Sequence, residues 1–129
     1  MSDVVIDSSV AAKWFVPEPD SAQAQRPIVD ATASANRLVV LDFALAEVAN
    51  VIWKQYRQRR FTADETRSQL ADLIAAPVRL ENAPRLLNAA LEIAIQYDRA
   101  ICDALFIALA VDLGARGVTA DEPLVNALA

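Results

Sequence analysis

The sequence predicts an α/β fold of three layers, in which helices cover both faces of a central parallel sheet of about four strands. Two short apolar runs, VVI at 4–6 and LVVL at 38–41, are typical of strands buried on both faces. Helical patterns separate the predicted strands along the chain, and this alternation favours parallel strands joined by crossover helices. With 129 residues and a hydrophobic content of 55%, residues 1–129 are expected to form one domain with a sizeable core.

The first half of the chain is predicted to contain a strand, two helices, a second strand and a long helix, at 3–6, 8–16, 20–35, 37–41 and 43–59. The first helix is expected to begin at Ser8 or Ser9, because serine is favoured at helix starts, and to end before Pro17. Pro27 predicts a kink or break in the second helix, because proline cannot donate the helical hydrogen bond.

The second half of the chain opens with a helix-start signal. Thr62 is followed three residues later by Glu65, a spacing that predicts a capping box and a helix that runs to about residue 75. The elements after it are a strand at 77–80, helices at 83–97 and 100–113, a last strand at 116–119 and a final helix that begins at Asp121.

Four acidic residues stand where such a sheet would gather them: Asp7, Glu47, Asp103 and Asp121. Two of them directly follow predicted strands and two lie in the first turns of apolar helices, and parallel sheets bind ligands at the carboxyl ends of their strands. Each acid alone is also explained as a helix cap or as an acid that interacts favourably with the helix dipole. As a set they would repel each other by about 4 kcal/mol for each pair at ~4 Å. A divalent cation would remove that penalty.

The composition excludes several kinds of site. Histidine is absent and Cys102 is the only cysteine, which excludes histidine-based catalysis and an intramolecular disulfide. Any metal would be bound through oxygen, which favours magnesium or manganese. With no evident activator, Cys102 is expected to be a small buried thiol. The net charge of −5 argues against a protein that coats nucleic acid. No run resembles a signal peptide or a membrane span, so we expect a cytoplasmic protein that does not bind membranes.

Four segments, whose order and spacing matter as much as their residues, extend together over nearly the whole chain: MSDVVIDSSVAAKWFVPEPDSAQA, EVANVIWK, YDRAICDALFIALA and VTADEPLVNAL. Each is a weak motif alone. Together they resemble the PIN-domain ribonucleases, and are most similar to the VapC-like toxins of type II toxin–antitoxin systems. The resemblance implies a PIN-like fold whose usual final edge strand is missing or shortened, because this chain stops at LVNALA.

The resemblance also implies an activity, which is cleavage of RNA by an endoribonuclease that depends on magnesium or manganese. The acids that match the family's quartet are Asp7, Glu47, Asp103 and Asp121. Asp7 and Asp103 would be the main metal ligands, and the other two would complete the metal site or position the attacking water. Ser9 and Thr119 match small polar positions of the family, where a hydroxyl can orient a carboxylate. A small cognate antitoxin would hold the activity off.

Basic residues concentrate at the end of the helix at 43–59 and across the next turn: Lys54, Arg57, Arg59, Arg60 and Arg67. They are explained either as solvated charges that suit a helix C-terminus or as a patch beside the acidic site that contacts phosphates. Asn50 and Lys54 fall near the helical face of Glu47, since the spacings are three and four. We therefore expect Asn50 to support the site, and Lys13, Lys54 and Arg57 to bind substrate.

Three interpretations stay open beside the nuclease. The apolar faces of the helices at 43–59 and 83–97 are explained by the core alone, or by an antitoxin helix or a second copy that covers them, so a homodimer is expected. A PIN-like scaffold that binds RNA or a protein without cleavage would bind little divalent metal. A phosphoryl-transfer domain with an aspartyl nucleophile is disfavoured, because Ser9 stands where such a domain has a second aspartate.

Overall fold

In this computed structural model, the described residues 3–15 and 37–119 form a parallel sheet with helices on both faces. The strands are β1 (Asp3–Ile6), β2 (Arg37–Leu41), β3 (Val78–Glu81) and β4 (Arg116–Val118). They lie in the order β3-β2-β1-β4, and each neighbouring pair is parallel. The helices are α1 (Ser8–Ala12), α2 (Asp42–Arg57), α3 (Ala63–Ile74), α4 (Leu87–Tyr97) and α5 (Ile101–Leu113). The predicted α/β fold with a four-stranded parallel sheet is confirmed.

The predicted elements that fall on described residues are present, with some of their ends shifted. Helix α1 is shorter than predicted, because it ends at Ala12 and continues as turns to Phe15. The helix predicted at 83–97 is divided into a 3-10 helix at Pro84–Leu86 and α4. The predictions for the helix at 20–35 with its kink at Pro27, for the helix from Asp121 and for the missing edge strand concern residues outside the described ranges.

The side chains of β1 and β2 alternate between two apolar layers, because successive residues of a strand point to opposite faces. One layer packs against α1, α2 and α3, and its strand members are Val4, Ile6, Leu38 and Val40. The other packs against α4 and α5, and its strand members are Val5, Val39 and Leu41. This double burial explains why both strands are continuous apolar runs instead of alternating ones.

The C-terminus of α2 is a Schellman motif, in which backbone groups past the helix end satisfy its last carbonyls. The Arg59 N–H donates to the Tyr56 carbonyl at 2.9 Å, and the Arg60 N–H donates to the Gln55 carbonyl at 2.8 Å. Arg59 adopts φ 62°, in the left-handed region that usually holds glycine or asparagine at this position. The motif ends α2 at Arg57, two residues before the predicted end.

The N-terminus of α3 is the predicted capping box. The Glu65 N–H donates to Thr62 Oγ1 at 3.1 Å, and the Thr62 N–H donates to Glu65 Oε1 at 2.9 Å. Both bonds satisfy donors that a helix start leaves without a partner, so the local sequence signal gives the observed start. Across the described ranges, no helix has both the length and the apolar character needed to cross a membrane.

Strand β4 lies beside β1, and this pairing decides which residues meet at the carboxyl edge of the sheet. Ile6 is in register with Val118, and the Asp7 N–H donates to the Val118 carbonyl at 3.0 Å. Helix α5 packs closely here, since a Cβ atom added to Gly117 would lie 2.8 Å from Cζ of Phe106. The residues that follow β1 and β4 are thereby brought side by side.

Candidate active site

Asp7 lies where β1 ends, and its carboxylate caps α1. The Ser8 N–H donates to Asp7 Oδ1 at 2.9 Å, and the Ser9 hydroxyl donates to Asp7 Oδ2 at 2.8 Å. The interpretation of Asp7 as a helix cap is therefore confirmed. A cap does not exclude a functional role, because Asp7 is only half-buried and its oxygens face the edge where parallel sheets bind ligands.

Thr119 follows β4 and reaches the same carboxylate. Its hydroxyl donates to Asp7 Oδ2 at 2.7 Å and lies 3.4 Å from the Ser9 hydroxyl oxygen. Two hydroxyls from different parts of the chain thus donate to one carboxylate oxygen. Hydrogen bonds to a charged acceptor are stronger than neutral ones, so Ser9 and Thr119 hold the carboxylate in one orientation.

Glu47 approaches Asp7 from the second turn of α2. Its neighbours Val48 and Ile52 are buried, as the apolar sequence suggested, but Glu47 itself lies on the exposed side of the helix. Its carboxyl group is nevertheless partly withdrawn from water, and this desolvation is the main reason that its pKa is raised above 4.5. A hydrogen bond with the Ser8 side chain acts against the rise in pKa, and the charges of Asp7 and Asp103 add to it. Asp7 and Glu47 line the same small cavity, and the charge of Asp103 also reaches Glu47.

Asp103 stands in the first turn of α5, beside a cation that the sequence analysis did not single out. Arg99 Nε lies 3.9 Å from Asp103 Oδ2, and the two side chains are only 21% and 28% exposed. The backbone before α5 positions Arg99, since Asp98 adopts φ 53° and the Arg99 N–H donates to the Ala94 carbonyl at 3.1 Å. The spacing of four between Arg99 and Asp103 was a signal in the sequence that would have predicted this pair.

A small cavity opens between these acids at the sheet edge. Its walls include Asp7, Ser8, Glu47, Cys102 and Phe106. Cys102 is exposed, so the expectation of a buried thiol was wrong: the first turn of the apolar helix α5 lies at the open edge of the sheet, not within the core. Partial desolvation of this exposed thiol raises the pKa of Cys102, and the charges of Glu47 and Asp103 raise it further.

Asp7, Ser8 and Glu47 contribute carboxylate and hydroxyl oxygens, which suit a hard divalent cation, to a cavity wall that is otherwise mostly apolar. Within residues 3–15 and 37–119, however, no group of three or more acidic or cysteine side chains is arranged as a complete metal site. Asp7 and Glu47 already accept hydrogen bonds, from Ser9 and Ser8 among others. The chemistry of the donors fits a metal, whereas their arrangement among the described residues is not that of a complete ligand shell.

The remaining predicted site residues are distributed around this edge and along α2. Asp121 lies outside the described residues. Asn50, Lys54 and Arg57 are exposed on α2, the last two about 10 and 15 Å beyond Glu47 at 1.5 Å per residue. Lys13 is half-buried in the turn that follows α1.

Comparison with known proteins gives relatives over nearly the full length. Residues 4–127 match the family described as PIN domain. Ribonuclease VapC3 of Pyrobaculum aerophilum is 32% identical over 125 residues, which cover 95% of this chain and 92% of that protein. PAE2754 of Pyrobaculum aerophilum has the same fold, with a TM-score of 0.73 and 20% identity over 98% of this chain and 79% of its own.

VapC20 of Mycobacterium tuberculosis, a toxin that cleaves the sarcin-ricin loop, also shares the fold. Its TM-score is 0.69 at 19% identity, and the match covers 96% of this chain and 94% of that chain. These two structures support the architecture alone, since their identities are low. The family match and the identity to VapC3 extend over the sheet and the three described acids. The chain therefore belongs to the PIN-domain family, and resembles its VapC ribonucleases.

Proposed function

We propose that this protein is an endoribonuclease that hydrolyses RNA phosphodiester bonds with the help of a divalent metal, and that it is the toxin of a toxin–antitoxin pair. The observation that carries the proposal is that Asp7 and Glu47 line one cavity at the carboxyl edge of the sheet, with Asp103 in the first turn of the adjacent helix α5. The similarity to Ribonuclease VapC3 supports the same reaction class. Residues 1–129 would then act as one nuclease domain.

Four acids would hold Mg²⁺ or Mn²⁺: Asp7, Glu47, Asp103 and Asp121. Asp7 and Asp103, which stand at the end of β1 and in the first turn of α5, are the main ligands in this proposal, as the resemblance to PIN-domain ribonucleases implies. A bound divalent ion supplies activation of water and stabilisation of the leaving oxygen. Glu47 and Asp121 would complete the metal site or position the attacking water.

The other residues orient the acids or bind the substrate. Ser9 and Thr119 hold Asp7 through its Oδ2 atom, at 2.8 and 2.7 Å. Asn50 lies one turn beyond Glu47 on the exposed side of α2, where an amide can support the site. Lys13, Lys54 and Arg57 supply cationic groups for the phosphates of RNA, which compensates for a net charge of −5.

An antitoxin and a second copy of the chain are the proposed protein partners. Three large apolar side chains of α4 repeat every four residues and are largely exposed, with exposed fractions of 46% at Leu87, 49% at Leu91 and 68% at Ile95. Such a stripe suits the apolar face of another helix. This supports a homodimer or an antitoxin helix at this face without distinguishing them.

Substitution of the two main ligands tests the proposed reaction. Asp7→Asn and Asp103→Asn remove one charge each and keep the shape of the side chain, and asparagine is also a good helix cap. We expect manganese-dependent cleavage of RNA to fall to background in both variants while circular dichroism stays unchanged. Asp64→Asn is the matched control, because Asp64 is a fully solvated acid in the first turn of α3. Cleavage retained in both site variants would refute the assignment of these ligands.

A second candidate function is a scaffold that binds RNA or a protein without cleavage. The observation that favours it is the lack, among the described side chains, of three acidic or cysteine groups arranged as a metal site. The scaffold predicts RNA binding by the wild-type protein with no product at any concentration of Mn²⁺. Product that forms with Mn²⁺ and disappears with a chelator would exclude it.

A further inference from the structure

The cations of this protein are unevenly paired. Five described arginines form ion pairs with carboxylates: Arg37, Arg67, Arg79, Arg85 and Arg99. By contrast, no ion pair to a described residue is formed by Lys54, Arg57, Arg59 or Arg60. These four residues, which we name the basic turn, lie within a segment of seven residues, and all four side chains are exposed. In a protein with net charge −5, such a concentration of uncompensated positive charge suits a polyanion.

An exposed stripe of α2 connects the acidic site to the basic turn. Glu47, Asn50, Lys54 and Arg57 are spaced by three, four and three residues, so they lie along one face of the helix. All four are exposed. From Glu47 to Arg57 the helix rises about 15 Å at 1.5 Å per residue.

The backbone of the basic turn is strained at a cationic residue. Arg59 adopts φ 62°, in the left-handed region, at the position after the helix that usually holds glycine. Residues other than glycine adopt this conformation at a cost of about 1–2 kcal/mol. Its side chain gains no ion pair with any described residue in return. This conformation closes the Schellman motif of α2, which glycine or asparagine would close at lower cost, so an arginine at this position points to a use for its charge.

Aromatic side chains lie between the cations. Tyr56 and Phe61 line a shallow depression in which three arginines, Arg57, Arg59 and Arg60, outnumber the one carboxylate, that of Glu65. The Arg57 guanidinium lies over the Trp53 ring, 5.3 Å from its centroid, and Trp53 and Tyr56 are each 46% exposed. Cations interleaved with exposed aromatic rings are the combination with which proteins bind single-stranded nucleic acid, through phosphates and stacked bases.

We propose that the basic turn is a second RNA-binding site, which holds the backbone of a single-stranded substrate about four nucleotides from the scissile bond. The distance follows from the ~15 Å along α2 and from a spacing of about 3.4 Å for each stacked nucleotide. The site makes the enzyme select RNAs long enough to reach from the acids to the turn. This inference rests on the proposed nuclease function, since it deepens the description of the substrate.

Paired variants test the second site. Arg59→Asn/Arg60→Gln removes two charges, and asparagine keeps the left-handed conformation at position 59. Arg79→Gln/Arg116→Gln removes two charges on β3 and β4 and is the control. Lys54→Gln/Arg57→Gln repeats the test at helical positions, which do not depend on the fold of the turn. Unchanged circular dichroism and urea unfolding establish that each variant is folded.

The readout is cleavage of single-stranded RNA of about 12 and about four nucleotides with Mn²⁺. For the long RNA we expect KM to rise about tenfold in either basic-turn variant, roughly threefold for each lost contact, with kcat unchanged. For the short RNA we expect no change in Arg59→Asn/Arg60→Gln, and for both RNAs we expect none in the control. The slope of log KM against log salt should also fall by about 1.4, or ~0.7 for each phosphate. Equal KM values for basic-turn and control variants would overturn the proposal.

A binding assay tests the second site independently of cleavage. If the wild-type protein cleaves no RNA, binding of the same two RNAs, carrying a fluorescent label, replaces cleavage as the readout. Length-dependent binding that the basic-turn variants weaken would then support the second site while the nuclease proposal fails. Binding that is equal in all variants would refute the second site.

Discussion

Thr119→Val is the substitution whose effect the site geometry defines best. Valine keeps the shape of threonine and removes the hydroxyl that donates to Asp7 Oδ2 at 2.7 Å. A hydrogen bond to a charged group contributes about 1.5–3 kcal/mol. Because Asp7 is only half-buried and Ser9 still donates to the same oxygen, we expect a loss of about 1–2 kcal/mol in the free energy of unfolding.

Urea denaturation without divalent ions measures this loss, with Thr66→Val as the matched control. The Thr66 hydroxyl donates to the Thr62 carbonyl on an exposed helix, so its removal should cost less than about 0.5 kcal/mol. With an m value of about 2 kcal/mol/M, Thr119→Val should lower the midpoint by about 0.5–1 M. Adding Ser9→Ala should give a coupling energy above about 0.5 kcal/mol, because the two hydroxyls share one acceptor. A midpoint equal to that of the control would refute the inference that Thr119 holds Asp7.

Three further predictions concern the acid of α2, the contact between β4 and α5, and the strained turn. The pKa of Glu47 is raised in the folded protein, so the folded state favours the protonated carboxyl group. The stability that Glu47 contributes is therefore present at a pH below its ordinary pKa of 4.5, and it is lost as the pH rises through the higher pKa of the folded state. Glu47→Gln should therefore be more stable than wild type in metal-free urea unfolding at about pH 7, and this gain in stability should be smaller at about pH 4. Its Cys102 should also react faster with iodoacetamide, because one charge that raises the thiol pKa is gone. Equal unfolding curves at neutral pH would contradict the prediction. Gly117→Ala should cost about 1–3 kcal/mol in thermal or urea unfolding, because its Cβ would lie 2.8 Å from the Phe106 ring, and an unchanged midpoint would show that the ring moves freely. Arg59→Gly should raise the free energy of unfolding by about 0.5–1 kcal/mol through relief of strain while weakening the binding of long RNA, and a loss of stability would exclude strain at this position.

The sequence predicted most of the fold because its signals are local or periodic. The apolar runs of β1 and β2 follow from burial on both faces, and the start of α3 follows from the side chains of Thr62 and Glu65 alone. The end of α2 was placed two residues too late, since the usual glycine signal is replaced by Arg59. A left-handed residue without glycine leaves little trace in a sequence.

The sequence placed Asp7 and Glu47 near one edge of the sheet, where the structure has them, but it did not reveal which side chains surround them. The strand order that brings Thr119 to Asp7 is a tertiary property, and only the family resemblance had suggested a role for Thr119. The exposure of Cys102 was missed because α5 is apolar on all sides, and its sequence does not reveal that the first turn lies at the sheet edge. Arg99 was overlooked although its spacing to Asp103 suits an ion pair.

The most direct test of a metal-dependent acidic site is calorimetric titration of the wild-type protein with Mn²⁺, beside Asp103→Asn. If the acids form a metal site, the wild-type protein should bind Mn²⁺ saturably with a dissociation constant of about 1 mM or lower, and the heat should be lost in the variant. The bound ion should also raise the melting temperature of the wild-type protein alone, because a ligand that binds only the folded state stabilises it. No heat of binding at millimolar Mn²⁺, or equal binding by both proteins, would contradict the account.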